Sequence, residues 1–281
     1  MGPTRSHAER MASRDGYFAP ESVIRRVGNS PLVPLLGAGP AVLLQVAHPL
    51  VAAGVVSHSD YRNDLWGRLL RTLRALYLIV YGSKQEAERA AEAVRSVHAH
   101  VQGTTREQLG PFPSGTPYSA ADPELMLWVH ATLVSSSLAV QQRFVGRLTA
   151  SEGEQYYRQM SLVARLFGVP ADTIPNRLRD FHDYLEAQLA GPAIRVTPPA
   201  REVAAVILEA PLPAPLRPLV PVHRLATAAL LPPQIRSQYG LEWSRSRALA
   251  LMLFAPSLRF SAAPLFRAAG HVRLQSPAYA S

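Results

Sequence analysis

An all-α fold, one domain of about ten helices, follows from three observations on this 281-residue chain. Apolar residues recur every three or four positions in segment after segment. No segment sustains the every-second-residue alternation of a half-buried strand. Helix start and stop signals fall in order between the apolar stretches. The chain has no cysteine, which excludes disulfides, zinc–thiolate sites, iron–sulfur clusters and cysteine nucleophiles. It is long enough to bury a core that needs no staples.

Residues 1–20 are polar and poorly periodic and read as a flexible arm; 21–256 hold the domain, and 257–281 form a basic tail. A short helix is predicted over Pro20–Val27. Gly37-Ala38-Gly39-Pro40 reads as a turn, with Pro40 in the first turn of a helix running to about Val56. Inside it, Pro49 has no N–H for the Gln45 carbonyl, which predicts a kink beside His48. The stretch from Pro31 to Ser57 has no ionised residue. Its four prolines, Gln45 and His48 point to a buried helix rather than a membrane span.

Asp64 caps the next helix, which ends near Gly82. Lys84–Gln102 forms another, with Gly103 in the stop position. Thr104–Ala121 is a loop rich in Gly, Pro, Ser and Thr, long enough to serve as a lid. Asp122-Pro123-Glu124 opens a helix to about Phe144. Ser151 and Glu154 form a capping box for a helix stopped by Gly168. Further helices follow over Pro175–Leu189, Ala200–Glu209, His223–Leu231, Gln234–Gly240 and Trp243–Phe254, separated by the proline-rich connectors of 191–221 and by Pro232-Pro233.

The 29 Lys and Arg against 20 Asp and Glu leave a net charge of +9. These bases are scattered from Arg5 to Arg273 without a dense run, so no nucleic-acid partner is expected. No stable membrane insertion is expected either. Met1–Arg14 has no apolar core, so no signal peptide is expected, and the absence of cysteine fits a reducing, cytoplasmic location. The many apolar faces leave room for a homodimer, although no heptad seam specifies one.

Chemistry concentrates between Asp64 and Gly103. Arg68, Arg71 and Thr72 point the same way, beside an apolar stripe of Leu65, Leu69, Leu73, Leu76 and Val80. On the following helix Ala87, Ala91, Val94, Val97 and Val101 make an inward line, and His98 falls within it. An imidazole aimed into an apolar interior, opposite arginines, is what a haem pocket needs. The same pattern also describes a core histidine and solvated arginines. His130, beside the buried line of its helix, reads equally as a core histidine or as a group above a cofactor. His48 reads equally as a pocket group or as a partner for a backbone carbonyl. A two-histidine, one-carboxylate metal site from His98, His130 and Asp60 or Asp122 fits less well, because the inward faces carry almost no acid. Nucleophile-elbow, Walker and His-Glu-x-x-His motifs are absent.

Six segments, in order, carry a resemblance: Leu43–Pro49 (Leu-Leu-Gln-Val-Ala-His-Pro), Arg68–Thr72 (Arg-Leu-Leu-Arg-Thr), Val94–His98, Tyr118–Leu125, Trp128–Thr132 and Leu231-Pro232-Pro233. Together they resemble the MpaB-type oxygenase and rubber-oxygenase catalytic-domain family (DUF2236) over about Val27 to Phe254. The resemblance implies a helical fold holding haem b (iron protoporphyrin IX) through one histidine, with His98 as the axial ligand and the metal-binding residue. Arg68, Arg71, Thr72 and His48 then become cofactor-binding candidates, and Arg71, Thr72 and His130 catalytic ones. The implied reaction is oxygenase or peroxygenase chemistry on a small apolar substrate with dioxygen or peroxide; a haem-binding sensor without turnover is the alternative. Two departures bear on substrate. Arg71 stands where the latex-clearing branch has a lysine able to ligate iron, and arginine does not deprotonate. No acid lies between Glu21 and Asp60, where that branch carries a carboxylate base. Both argue against polyisoprene cleavage.

Overall fold

The computed structural model describes residues 15–209, 217, 220–251 and 253. Most of the predicted arm (1–14) and the predicted tail (257–281) lie outside the described residues. In chain order the helices are α1 (Val23–Gly28), α2 (Leu32–Val46), α3 (Pro49–His58), α4 (Leu65–Tyr81) and α5 (Lys84–Ala99). A hairpin of β1 (Gln102–Thr104) and β2 (Pro117–Ser119) leads into α6 (Pro123–Val140), which runs on into a π-helical turn, Gln141–Val145. Then come α7 (Ala150–Leu166), α8 (Leu178–Ala190), α9 (Pro198–Glu209), α10 (Val220–Leu230) and α11 (Pro233–Gln238). Residues 245–251 are helical as well. The all-α expectation holds, with the hairpin as its exception.

The central element is α2, which packs against α6, α9 and α10. It carries no charged residue, and most of its side chains are buried. A helix apolar on every side belongs in a core. The predicted turn at Gly37–Pro40 is not formed; α2 runs straight through it. Pro40 forfeits one backbone bond, but the surrounding packing holds the helix. The two glycines set how near its neighbours come. A Cβ on Gly39 would stand 2.6 Å from Thr227 Oγ1 and 3.0 Å from the His223 ring, whereas one on Gly37 would make an ordinary 3.6 Å contact with Val140.

The predicted single helix to Val56 is two helices, bent by 106° at Ala47-His48. A residue before proline is pushed out of the helical region, and His48 is extended, with φ −81° and ψ 117°. Three carbonyls at the end of α2 take donors from elsewhere in the chain. Trp128 Nε1 donates to the Gln45 carbonyl at 3.2 Å, Tyr239 Oη to that of Leu43 at 2.7 Å, and the Arg195 N–H to that of Ala47 at 2.8 Å. Among the described residues no single helix is long and apolar enough to cross a membrane.

Other local expectations shift. α5 stops at Ala99, and Gly103 sits in β1, where a Cβ would come within 2.7 Å of Tyr118 Oη. The predicted loop over Thr104–Ala121 stands over 105–116 but is closed by the two short strands; Leu109 and Tyr118 bury themselves against Ala53 of α3. The capping box of α7 is Thr149 with Glu152 rather than Ser151 with Glu154. Gly168, at φ +101°, ends the chain's run from α7 as predicted. The described end of the arm is packed: Phe18 lies in the core, and the Asp15 carbonyl accepts the Lys84 N–H at 3.1 Å.

Overpacking a filled contact costs roughly 1–3 kcal/mol. Gly39→Ala is therefore expected to lower the urea midpoint measurably, and Gly37→Ala to leave it nearly unchanged. Equal effects from the two substitutions would contradict the account of α2.

Candidate functional site

The site forms where three helix ends meet: the C-terminus of α3, the first turns of α4 and the last turn of α5. α4 begins at Asp64, whose Oδ1 accepts the Gly67 N–H at 3.1 Å. Its other oxygen, Oδ2, accepts from Arg71 Nη2 at 2.8 Å. One carboxylate thus satisfies a helix-end donor and holds the Arg71 guanidinium toward solvent, where 62% of the side chain is exposed. Thr72, also exposed, donates its hydroxyl back to the Arg68 carbonyl at 3.1 Å.

Arg68 goes the other way. It is half-buried, donates to Ser59 Oγ, and pairs with no carboxylate among the described residues. Burial, then the nearby Arg71 charge, lowers its pKa below the usual arginine value. The apolar stripe of α4 is only half-buried at Leu65, Leu69, Leu73 and Leu76 and closes fully at Ile79 and Val80. That closed end is fixed by Arg25, whose Nε donates to the Val80 carbonyl at 3.0 Å, a cation at a helix C-terminus.

His98 is half-buried on the last turn of α5, and its Nδ1 is sealed from solvent without a hydrogen-bond partner. Burial lowers its pKa, and the Arg68 charge lowers it further. Both effects favour the neutral ring. Val97, placed by the sequence pattern on the inward line, is instead 63% exposed. Position 97 is one residue from His98, about 100° around the helix, so the two cannot both face inward. The neighbouring His100 Nδ1 lies 2.7 Å from the Ser96 carbonyl.

His130 is buried on α6, and neither ring nitrogen has a partner. Burial depresses its pKa to about 4. One turn before it, Met126 meets Gly168, and Arg95 of α5 converges on the same glycine: a Cβ there would lie 3.6 Å from Met126 Cε and 3.2 Å from Arg95 Cδ. Arg95 also donates to the Leu166 carbonyl. Arg95 of α5 and Met126 of α6 thus meet at one turn.

His48 stands elsewhere, at the opposite end of α3 from Ser59, about 15 Å away along that helix. Its Nδ1 accepts the Leu50 N–H at 3.3 Å, and its ring lies 5.4 Å from that of Phe112. It thus caps α3 rather than serving a carbonyl. Burial takes its pKa down to about 4, opposed by Asp122.

Of the predicted residues, the fold brings His98 and Arg68 together, turns Arg71 and Thr72 outward and sets His48 apart. Sequence reasoning missed Ser59, and it missed Glu202 of α9. Glu202 accepts from the buried Tyr61 hydroxyl and pairs with Arg62, fixing the 59–64 segment. No local signal connects positions 61 and 202. Among the described residues no three His, Asp or Glu gather as metal ligands, so the His98–His130–carboxylate alternative has no such cluster behind it.

The profile described as "ER-bound oxygenase mpaB/B'/Rubber oxygenase, catalytic domain" matches residues 25–260. An uncharacterised protein of Mycobacterium bovis and one of Mycobacterium tuberculosis are each 28% identical over 212 residues, covering 73% of this chain and 80% of theirs. The fold is similar to latex clearing protein in its closed state, with a TM-score of 0.61 at 19% identity, covering 90% of this chain and 70% of that one.

A histidine with a folded pKa near 4 and an unfolded one near 6.5 takes up its proton on unfolding across that window. Stability is then full above about pH 6.5 and is lost as pH falls toward 4. For His130 the loss between pH 7 and pH 5 is about 2 kcal/mol. Urea titrations at the two pH values are expected to show that drop, and His130→Leu to remove this part of it.

Proposed function

We propose a haem-dependent reaction for this chain, which belongs to the family of mpaB/B′ and rubber-oxygenase catalytic domains and is an oxygenase domain of that family. The observation carrying the proposal is the pairing of a neutral, partnerless His98 with a half-buried Arg68 that has no carboxylate. One imidazole is too few ligands to hold a bare metal ion. It suits a group that brings its own equatorial donors, as haem b does. A desolvated guanidinium suits that group's carboxylates. The half-buried leucines of α4 suit its apolar face.

Haem bound here would supply a redox-active iron able to activate dioxygen or peroxide. His98 would hold it, since burial keeps the ring unprotonated. Arg68, anchored on Ser59, would neutralise a propionate. Leu65, Leu69, Leu73 and Leu76 would keep water out and offer apolar surface to a small apolar substrate. His130, neutral and buried, would provide one hydrogen-bond donor and one acceptor over the pocket. Arg71 and Thr72 enter this reading through side-chain rotation. Arg71 would leave Asp64, and an exposed ion pair of that kind holds it by only about 0–1 kcal/mol. Thr72 would leave the Arg68 carbonyl and offer its hydroxyl.

Purified protein reconstituted with haem is expected to show a Soret band that His98→Ala abolishes. Arg68→Ala should weaken haem retention more than Arg71→Ala, because only Arg68 is turned inward. An unchanged band in His98→Ala would sink the proposal. Reduced, reconstituted protein supplied with isotopically labelled dioxygen and a panel of apolar alkenes then tests turnover, read as label in the product.

A further inference from the structure

A groove lies at the far end of α6, about 20 Å along that helix from His130. There α6 passes into the π-helical turn Gln141–Val145. Turns of this kind interrupt the regular register and recur at functional sites. This one is held by the buried Gln141, whose Nε2 donates to the Gly146 carbonyl at 3.0 Å, while its Oε1 has no partner.

Two clefts flank the turn. One, of about 360 Å³, runs between α6, the start of α7 and α8, over Leu138, Leu178 and Phe181. The other, of about 650 Å³, reaches Ala229 and Leu230 of α10 and is rimmed by Arg143 and Arg147. Ala139, Gln142 and Leu148 line both, so they form one continuous groove. Its size falls in the range of small-molecule sites, about 300–1,000 Å³.

The polarity along the groove is uneven. The α8 end has an apolar base of Leu138, Leu178 and Phe181. The other end carries two exposed guanidinium groups, and neither pairs with a carboxylate among the described residues. Acids are not far off in sequence, but each is engaged. Glu152 is taken by the Thr149 cap and by Arg26, and Glu154 by Arg158 and the Leu178 N–H. Two cations without counter-ions on the rim of a groove whose other end is apolar select an anion with an apolar body.

We propose that this groove binds a long-chain carboxylate, its head group between Arg143 and Arg147 and its chain along Ala139 and Leu148 toward Phe181. The site is separate from the histidine site and does not depend on haem.

The full-length protein is titrated with a dansyl-labelled undecanoic acid, followed by competition with palmitate or hexadecanol. Palmitate is expected to displace the probe, and hexadecanol to do so at least about tenfold less well, since it lacks the charge. Arg143→Glu with Arg147→Glu should weaken probe binding by about tenfold or more, with the helical circular dichroism unchanged. Ala139→Trp, which fills the shared part of the groove, should abolish it, and His98→Ala should leave it intact. Equal competition by hexadecanol, wild-type affinity in the double variant, or loss of binding in His98→Ala would each overturn the proposal. The last would put the acid in the histidine pocket; none of these results depends on whether haem binds.

Discussion

The constraint on which this architecture rests is the break of α2 at Ala47-His48, whose last carbonyls gather side chains and backbone from elsewhere in the chain. Pro49 cannot donate, and the extended His48 before it cannot continue the helix. Buried carbonyls without donors cost on the order of 1–3 kcal/mol each. The chain answers from three distant places: Trp128 on α6, Arg195 before α9 and Tyr239 after α11. Those bonds tie α6 and the C-terminal helices to one point on the central helix. They also fix the direction of α3, and α3 delivers Ser59 to Arg68. The position of Arg68 therefore traces back to a proline nearly twenty residues earlier.

Within the site, selection among the arginines is electrostatic. Arg68 and Arg71 lie on adjoining parts of one helix face, and the sequence pattern treats them alike. Asp64 separates them. Its carboxylate sits at the N-terminus of α4, where the helix dipole favours a negative charge, and from there it reaches Arg71 but leaves Arg68 to Ser59. A paired, exposed Arg71 is inexpensive to hydrate. An inward Arg68 bound only to a hydroxyl is poorly compensated, and that imbalance suits it to an incoming anion. The 59–64 segment that sets this up is itself clamped by Glu202 through Tyr61 and Arg62.

Much of this was legible in the sequence. The helical class, the break near Pro49, the Asp64 cap, the Gly82 junction and the Asp122-Pro123 start all rest on local backbone chemistry, and each stands in the structure. The failures are equally physical. Gly37–Pro40 looks like a turn because glycine and proline usually are one, yet burial on every side of α2 overrides the local preference. The hairpin strands are three residues long, too short for an alternating pattern to register. Val97 counts as apolar by type but faces solvent, because a line drawn through every apolar residue of α5 is wider than the face it buries. The clamps from Arg25, Trp128 and Glu202 are side-chain bonds across 55, 83 and 141 positions, which no local signal encodes.

The histidines can be sorted by what answers their burial. A neutral imidazole needs one acceptor for its N–H and one donor for its lone pair. His48 takes the Leu50 N–H at the start of α3, and His223 lies 3.2 Å from the Ile207 carbonyl through Nε2. Both are used by the backbone and belong to the architecture. His98 and His130 have sealed nitrogens that no described group meets, although both sit on helices whose positions are otherwise well determined. A buried nitrogen without a partner costs stability. These two rings, with Arg68 alongside the first, are the histidines on which the proposed function draws.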